Sequence, residues 1–175
     1  MADSTGQLIT ASESTKKESD VTNSTWYKEG LTRVNMAVGS AYQNADGVNV
    51  ISASGILNDG SDKVRVISAD MTLDRIAIIV NSFIEMNDAE AFLVDKTSGV
   101  ILANRDSSLI SQTLGAEGQS HFYQLTAEKA AEKDYNFATL DGNMTVFQEV
   151  DGTNWLLISY IPTSIVLSDQ IGRAS

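Results

Sequence analysis

The sequence predicts an α+β fold of two modules, each an antiparallel sheet with helical segments, joined by a helix over 72–87. Three features lead there. Short β-rich runs are separated by turn sequences: "NDGSD" after 48–57, "TSG" after 91–96, then "DGN" and "DGTN". One long segment, 72–87, instead repeats apolar residues at helical spacing. Finally, a strand pair, a helical stretch and a three-strand meander succeed one another in the second half, and the first half echoes that order imperfectly.

Taken in order, Gln7 to Ala11 is a weak strand candidate. After the polar run "ESTKKESDVTNST", a helix is expected from Trp26, because Tyr27, Leu31, Val34 and Val38 fall at helical spacing, although Gly30 opposes it. A short strand is expected near Ala41, then a hairpin of 48–57 with 63–70. Leu73, Ile76, Ala77, Val80, Phe83 and Ile84 form the apolar stripe of the next helix, with Thr72 available as its N-cap.

In the second half, 91–96 and 100–104 form a tight hairpin, and the polar region after it is most helical over 125–133. Strands are expected at 135–140, 144–150 and 154–161, over a core of Phe92, Val94, Ile101, Val146, Leu156 and Ile158. Pro162 breaks the last strand, and "TSIVLSDQI" reads as a helix leaving the domain. This is the strand order of a PAS-like sheet. The modules are therefore placed at 6–87 and 88–162, with an exit helix in 163–175; one irregular α+β domain is the alternative.

Composition narrows the function. A hydrophobic fraction of 42% and a charged fraction of 20% are those of a globular chain, and 175 residues bury a real core. The net charge of −11 argues against nucleic acid and anionic membrane surfaces, which call for basic patches. No apolar run approaches the length of a membrane span, and "MADSTGQ" lacks the regions of a secretory signal. The absence of cysteine excludes disulfides and thiolate chemistry while leaving the compartment open.

Catalysis finds little support. His121 is the only histidine, and no G-x-S-x-G elbow, phosphate-binding glycine loop or dinucleotide fingerprint is present. "NADGVN" and "DGSD" are fragments of calcium loops without the full pattern or its distal glutamate, so neither a metal nor a cofactor is expected. "NST" and "NMT" fit a glycosylation sequon, which means little if the source is bacterial.

Five segments together resemble the double Cache sensor domains found outside the membrane in bacterial chemoreceptors, histidine kinases and diguanylate cyclases. They are "WYKEG" (26–30), "SAYQNADG" (40–47), "VRVISADMTLDRI" (64–76), "AFLVDKTSGVILAN" (91–104) and "DGTNWLLISYIP" (151–162). The match runs from Gly6 to Ile171, in the family's order, and begins inside the membrane-distal module; the family's long N-terminal helix and first distal strand have no counterpart.

The resemblance implies an extracytoplasmic, membrane-anchored receptor domain, homodimeric in the full-length receptor, that senses a small molecule and carries no catalytic residue. Ligand-binding roles would fall on Trp26, Tyr27, Tyr42 and Asp70. Aromatic faces hold cations through the ring quadrupole, and a carboxylate pairs with an ammonium. The arginine that the amino-acid-binding branch places two residues before the tryptophan is here Ser24, and its earlier tyrosine is Ser19. The implied ligand is thus an amine or another small metabolite. Each residue also has a plainer reading: Trp26 and Tyr27 as packing, Tyr42 as core, Asp70 as a cap of the 72–87 helix. Of the two rings of the pair, Tyr27 is expected to border the cleft, because its hydroxyl needs a polar partner. A ligand-free dimerising spacer is the competing function.

Overall fold

Two antiparallel sheets hold most of the regular secondary structure in the computed structural model, which describes residues 1–11, 20–82 and 88–166. The chain divides into two units, Met1–Leu73 and Asp74–Ser175.

The first unit is built on a four-stranded sheet in the order β1-β4-β3-β2, from β1 (Ala2–Asp3), β2 (Ala37–Gln43), β3 (Asn49–Leu57) and β4 (Arg65–Thr72). Directly opposed residues share a face of a sheet. Ile56 with Val66, Ser54 with Ser68, and Ser52 with Asp70 therefore point to one side. Helix α1 (Thr25–Gly30) packs there. A side chain at Gly30 would place its Cβ 2.3 Å from Val66 Cγ1. Glycine at this position is thus what lets the helix approach the strands.

The expected helix is cut short for the same reason. After Gly30 the chain turns across β3, where Ile56 N–H donates to the Arg33 carbonyl at 2.8 Å and Gly55 leaves room for the Asn35–Met36 backbone. The helical spacing of Leu31, Val34 and Val38 is coincidental: Val34 is 86% exposed, and Val38 lies in β2.

The strand expected over Gln7 to Ala11 is replaced by a single bridge between Leu8 and Ala2. Turn chemistry wins here. The Asp3 carboxylate accepts from the Thr5 and Gln7 amides and from the Thr5 hydroxyl, folding the segment back so that Ile9 N–H reaches the Met1 carbonyl. Strand β1 covers only Arg65 and Val66 at the outer edge of β4.

Helix α2 (Leu73–Ser82) comes directly after β4, without a connecting residue. Leu73, Ile76 and Ala77 of its expected stripe are buried, while Phe83 and Ile84 lie outside the described residues.

The second unit holds the expected five-stranded antiparallel sheet, in the order β6-β5-β9-β8-β7. Its strands are β5 (Glu90–Asp95), β6 (Ile101–Ala103), β7 (Ala138–Leu140), β8 (Asn143–Val150) and β9 (Trp155–Pro162). Phe92, Val94, Ile101, Leu156 and Ile158 form the core with Phe147, Leu114 and Phe122, the last from helix α3 (His121–Ala131).

Val146, expected in that core, is 48% exposed. In β8 the buried residues are Thr145 and Phe147, and the pleat turns Val146 to the other face from Phe147, opposite Ser159. Strand β7 is also shorter than 135–140, and Phe137 lies on the surface. The chain turns helical again at Thr163, directly after Pro162, and the rest of the expected exit helix lies outside the described residues.

Candidate functional site

The polar character of the first sheet's helix-facing side comes from an unusual run in β3, "VISASG", which places small Ser52 and Ser54 where bulky residues would otherwise fill the space under α1. Both serines are fully buried. Toward the β2 end this leaves an open cavity of about 560 Å³. Trp26 of α1 and Tyr42 of β2 border it, together with the turn 44–46. Ile67, Ser68 and Asp70 of β4 border the other side, and Met1 with residues 8–11 closes the N-terminal edge.

The aromatic pair at the start of α1 divides its work. Adjacent helical residues point about 100° apart, and the two rings meet edge to face at 5.8 Å and 83°. Tyr27 is buried in a cluster with Ala2, Val21 and Val66 and does not border the cavity. Burial, and secondarily the nearby Asp3 charge, raises its phenol above the ordinary range. Trp26 belongs to the same cluster and also contributes to the cavity wall. Tyr27 was expected to be the cleft ring; Trp26 holds that position.

Tyr42 and Asp70 stand on neighbouring parts of this wall and are joined through Ser52. The Tyr42 hydroxyl lies 2.7 Å from Ser52 Oγ, and Ser52 Oγ donates to Asp70 Oδ1 at 2.6 Å. The Ser68 hydroxyl also donates to that oxygen, at 3.3 Å. Asp70 itself is exposed, at the open side of the cavity. Its hydrogen-bond partners are therefore sheet serines. Met1 gives a sign of its field: burial lowers the α-ammonium below its ordinary range, and the Asp70 charge opposes that shift.

Among the described residues, the side chains bordering the cavity include the carboxylates of Asp46 and Asp70 and no lysine, arginine or histidine. The wall is apolar at Trp26 and Leu8 and acidic at Asp46 and Asp70. Such a site has the chemistry to hold a small cation with an apolar portion. No group of three His, Cys, Asp or Glu residues is placed to hold a metal ion among the described residues.

The second unit presents its helix-facing side differently. Phe92, Phe122, Tyr123 and Tyr160 form an aromatic cluster, the closest pair being Phe122 and Tyr160 at 4.5 Å. The Tyr160 hydroxyl donates to Glu90 Oε2 at 2.5 Å, and Asn104 donates to the Tyr123 hydroxyl at 3.0 Å. Burial first, then the Glu90 bond, pushes the Tyr160 phenol far above its usual range. A smaller cleft of about 310 Å³ lies beside Tyr135, Ala127 and Leu114. Its charged neighbours are already engaged: Asp95 accepts from Thr97 and Ser98, and Lys96 pairs with Glu149.

No protein-family model and no curated protein sequence matches this chain. Solved structures do. The ligand-binding domain of the Pseudomonas fluorescens chemoreceptor CtaA, in complex with L-isoleucine, is similar at 20% identity and a TM-score of 0.69, over 95% of this chain and 69% of that one. The ligand-binding domain of the Pseudomonas aeruginosa PAO1 amino-acid chemoreceptor PctB, in complex with L-Gln, aligns at 16% identity and a TM-score of 0.67, over 99% of this chain and 74% of that one. That of PctC from the same organism, in complex with GABA, aligns at 22% identity and 0.58, over 86% and 65%. The fold is that of a chemoreceptor ligand-binding domain. The likeness spans both units of the chain and about two thirds of those domains.

Sequence reasoning named Trp26, Tyr42 and Asp70, all of which border the cavity, and Tyr27, which does not. It missed Ser52 and the N-terminal residues that close one edge. The signal for Ser52 was present: small polar residues at 52 and 54 alternate with Ile51 and Ala53, marking a strand face with room left over it.

Proposed function

We propose that this chain is the extracytoplasmic sensing part of a transmembrane signalling receptor, and that the cavity in its first, membrane-distal unit takes a small amine. The carrying observation is the acidic wall at Asp70, set beside the Trp26 ring in a cavity of about 560 Å³ with no basic side chain among its described lining residues. A ligand ammonium pairs with Asp70, and an apolar portion lies against Trp26 and Leu8. Several chemoreceptor domains of this fold were solved with amino acids, and one with GABA. Apart from the Met1 α-ammonium, which donates to the Ile9 carbonyl, the charged groups of the described wall are acidic, so a ligand carrying an ammonium without a neighbouring carboxylate suits it better.

Ligand binding is read out through the second unit, whose last strand, β9, runs directly into the exit helix at Thr163. The filled core of that unit suits a transmitting rather than a receiving role. In the full-length receptor the domain works as a homodimer, without catalytic chemistry.

A thermal-shift screen against amines, amino acids and organic acids tests this reading, because a ligand that binds only the native state raises the melting temperature. Stabilisation by simple alkylamines, and none by organic acids, is the expected result. A flat response to the whole set would favour a ligand-free dimerising spacer.

A further inference from the structure

We propose that Leu8 sets the length of ligand the cavity takes, so that the site favours a primary amine on an extended apolar chain over a compact one. This rests on the reading of the cavity as an amine site and names its ligand class more closely. The starting point is how the first residues of the chain are attached. Asp3 N–H donates to the Gln7 carbonyl at 3.2 Å, and Ile9 N–H donates to the Met1 carbonyl at 2.9 Å. Ala2 and Leu8 stand opposite each other between those two bonds. Residues 1–9 are thus a small hairpin, added to the outer edge of β4 through Ala2 and Asp3.

Register then fixes the side on which Leu8 lies. Ala2 is opposed both to Leu8 and to Val66, and directly opposed residues share a face. Val66, Ser68 and Asp70 alternate along β4 and lie on its helix-facing side. Leu8 and Asp70 therefore belong to the same face of the extended sheet, and both border the cavity. Leu8 also packs, half-buried, against the cluster of Trp26, Tyr27 and Val66.

The two residues stand well apart on that face. Asp70 is four residues along β4 from Val66, and Leu8 is two strands across from it, which puts their Cα atoms roughly 16 Å apart. A two-carbon amine paired with Asp70 ends short of the hairpin. A chain of several carbons crosses the cavity that Trp26 borders and reaches Leu8. Each methylene removed from water against an apolar wall adds affinity, and the gain stops where the wall ends. Trp26 begins that wall, and Leu8 carries it on to the hairpin.

The test is calorimetric titration of the whole chain with ethylammonium, n-butylammonium and n-hexylammonium. Affinity is expected to rise along the series, at least tenfold from ethyl to hexyl. In Leu8→Ala the hexyl-to-ethyl affinity ratio should fall at least threefold; Leu8→Met, which keeps an apolar side chain of similar length, should restore it. The ratio is read within each folded variant, so a general loss of stability does not move it. If Leu8→Ala does not fold, Leu8→Gln serves instead, keeping a long side chain with a polar end and lowering the ratio. Equal binding of the three amines by the wild-type chain would overturn the inference while leaving the amine site standing. So would an unchanged ratio in the folded Leu8→Ala variant or, where that variant does not fold, in Leu8→Gln. Silence toward all three amines would overturn the amine site itself, and the inference with it.

Discussion

The two units use the same plan and spend the space under their helices in opposite ways. In the first, Ser52 and Ser54 line the helix-facing side of the sheet, and a cavity opens beside Trp26. In the second, the corresponding side carries Phe92, Phe147, Leu156 and Ile158, and α3 adds Phe122. Large aromatics bury the most area and leave the least room, whereas small serines whose hydroxyls are hydrogen-bonded to neighbours fill little of the space under a helix without leaving unpaired polar groups. One layout therefore carries a cavity of about 560 Å³ in the first unit and only a smaller cleft of about 310 Å³ in the second.

The largest effects should come from emptying what is filled. Phe92→Ala removes a fully buried ring from the aromatic cluster and should cost the second unit about 3–5 kcal/mol, measured by denaturant unfolding. Trp26→Ala should cost the first unit a similar amount, about 3–5 kcal/mol, if packing and cavity wall depend on the same ring. A loss well below 1 kcal/mol at Trp26 would mean that the ring serves the cavity alone, and the contrast between the units would sharpen.

Next in size is the Tyr160 to Glu90 bond. Its phenol is raised by burial, so the stability it contributes is present below the unfolded tyrosine value of about 10 and is lost as pH rises beyond it. Tyr160→Phe should cost about 1.5–3 kcal/mol at neutral pH and flatten that alkaline loss. An unchanged alkaline transition in this variant would place the sensitive group elsewhere.

The smallest expected effect is at Val146. Val146→Thr, on the exposed face of β8, should stay within about 0.5 kcal/mol of wild type by thermal unfolding, whereas Phe147→Ala one residue on should cost several times more. Comparable losses at the two positions would contradict the register reported for β8.

Much of the fold was legible because hairpin turns and alternation are local. "TSG", "DGN" and "DGTN" placed the strands of the second sheet within a few residues. Val146 was misread because "MTVFQEV" offers two adjacent apolar residues, and only the pairing of Phe147 with Ile158 decides which of them faces inward. The short α1 was not legible either: what ends it is contact with Val66 and the crossing over Gly55, both distant in sequence. At the site, Trp26, Tyr42 and Asp70 were named through the family resemblance. Which ring borders the cavity, and the part played by Ser52, depend on strand register and helix rotation.

The most direct test of the account is ligand-induced stabilisation of the Asp70→Asn variant. Asparagine keeps an oxygen to accept from Ser52, so the sheet network is retained while the charge is removed. The unliganded melting temperature should stay within a few degrees of wild type, and the rise produced by n-butylammonium in the wild-type chain should disappear. An equal rise in both proteins would show that the amine binds away from Asp70 and would contradict the proposal that the cavity is the sensing site.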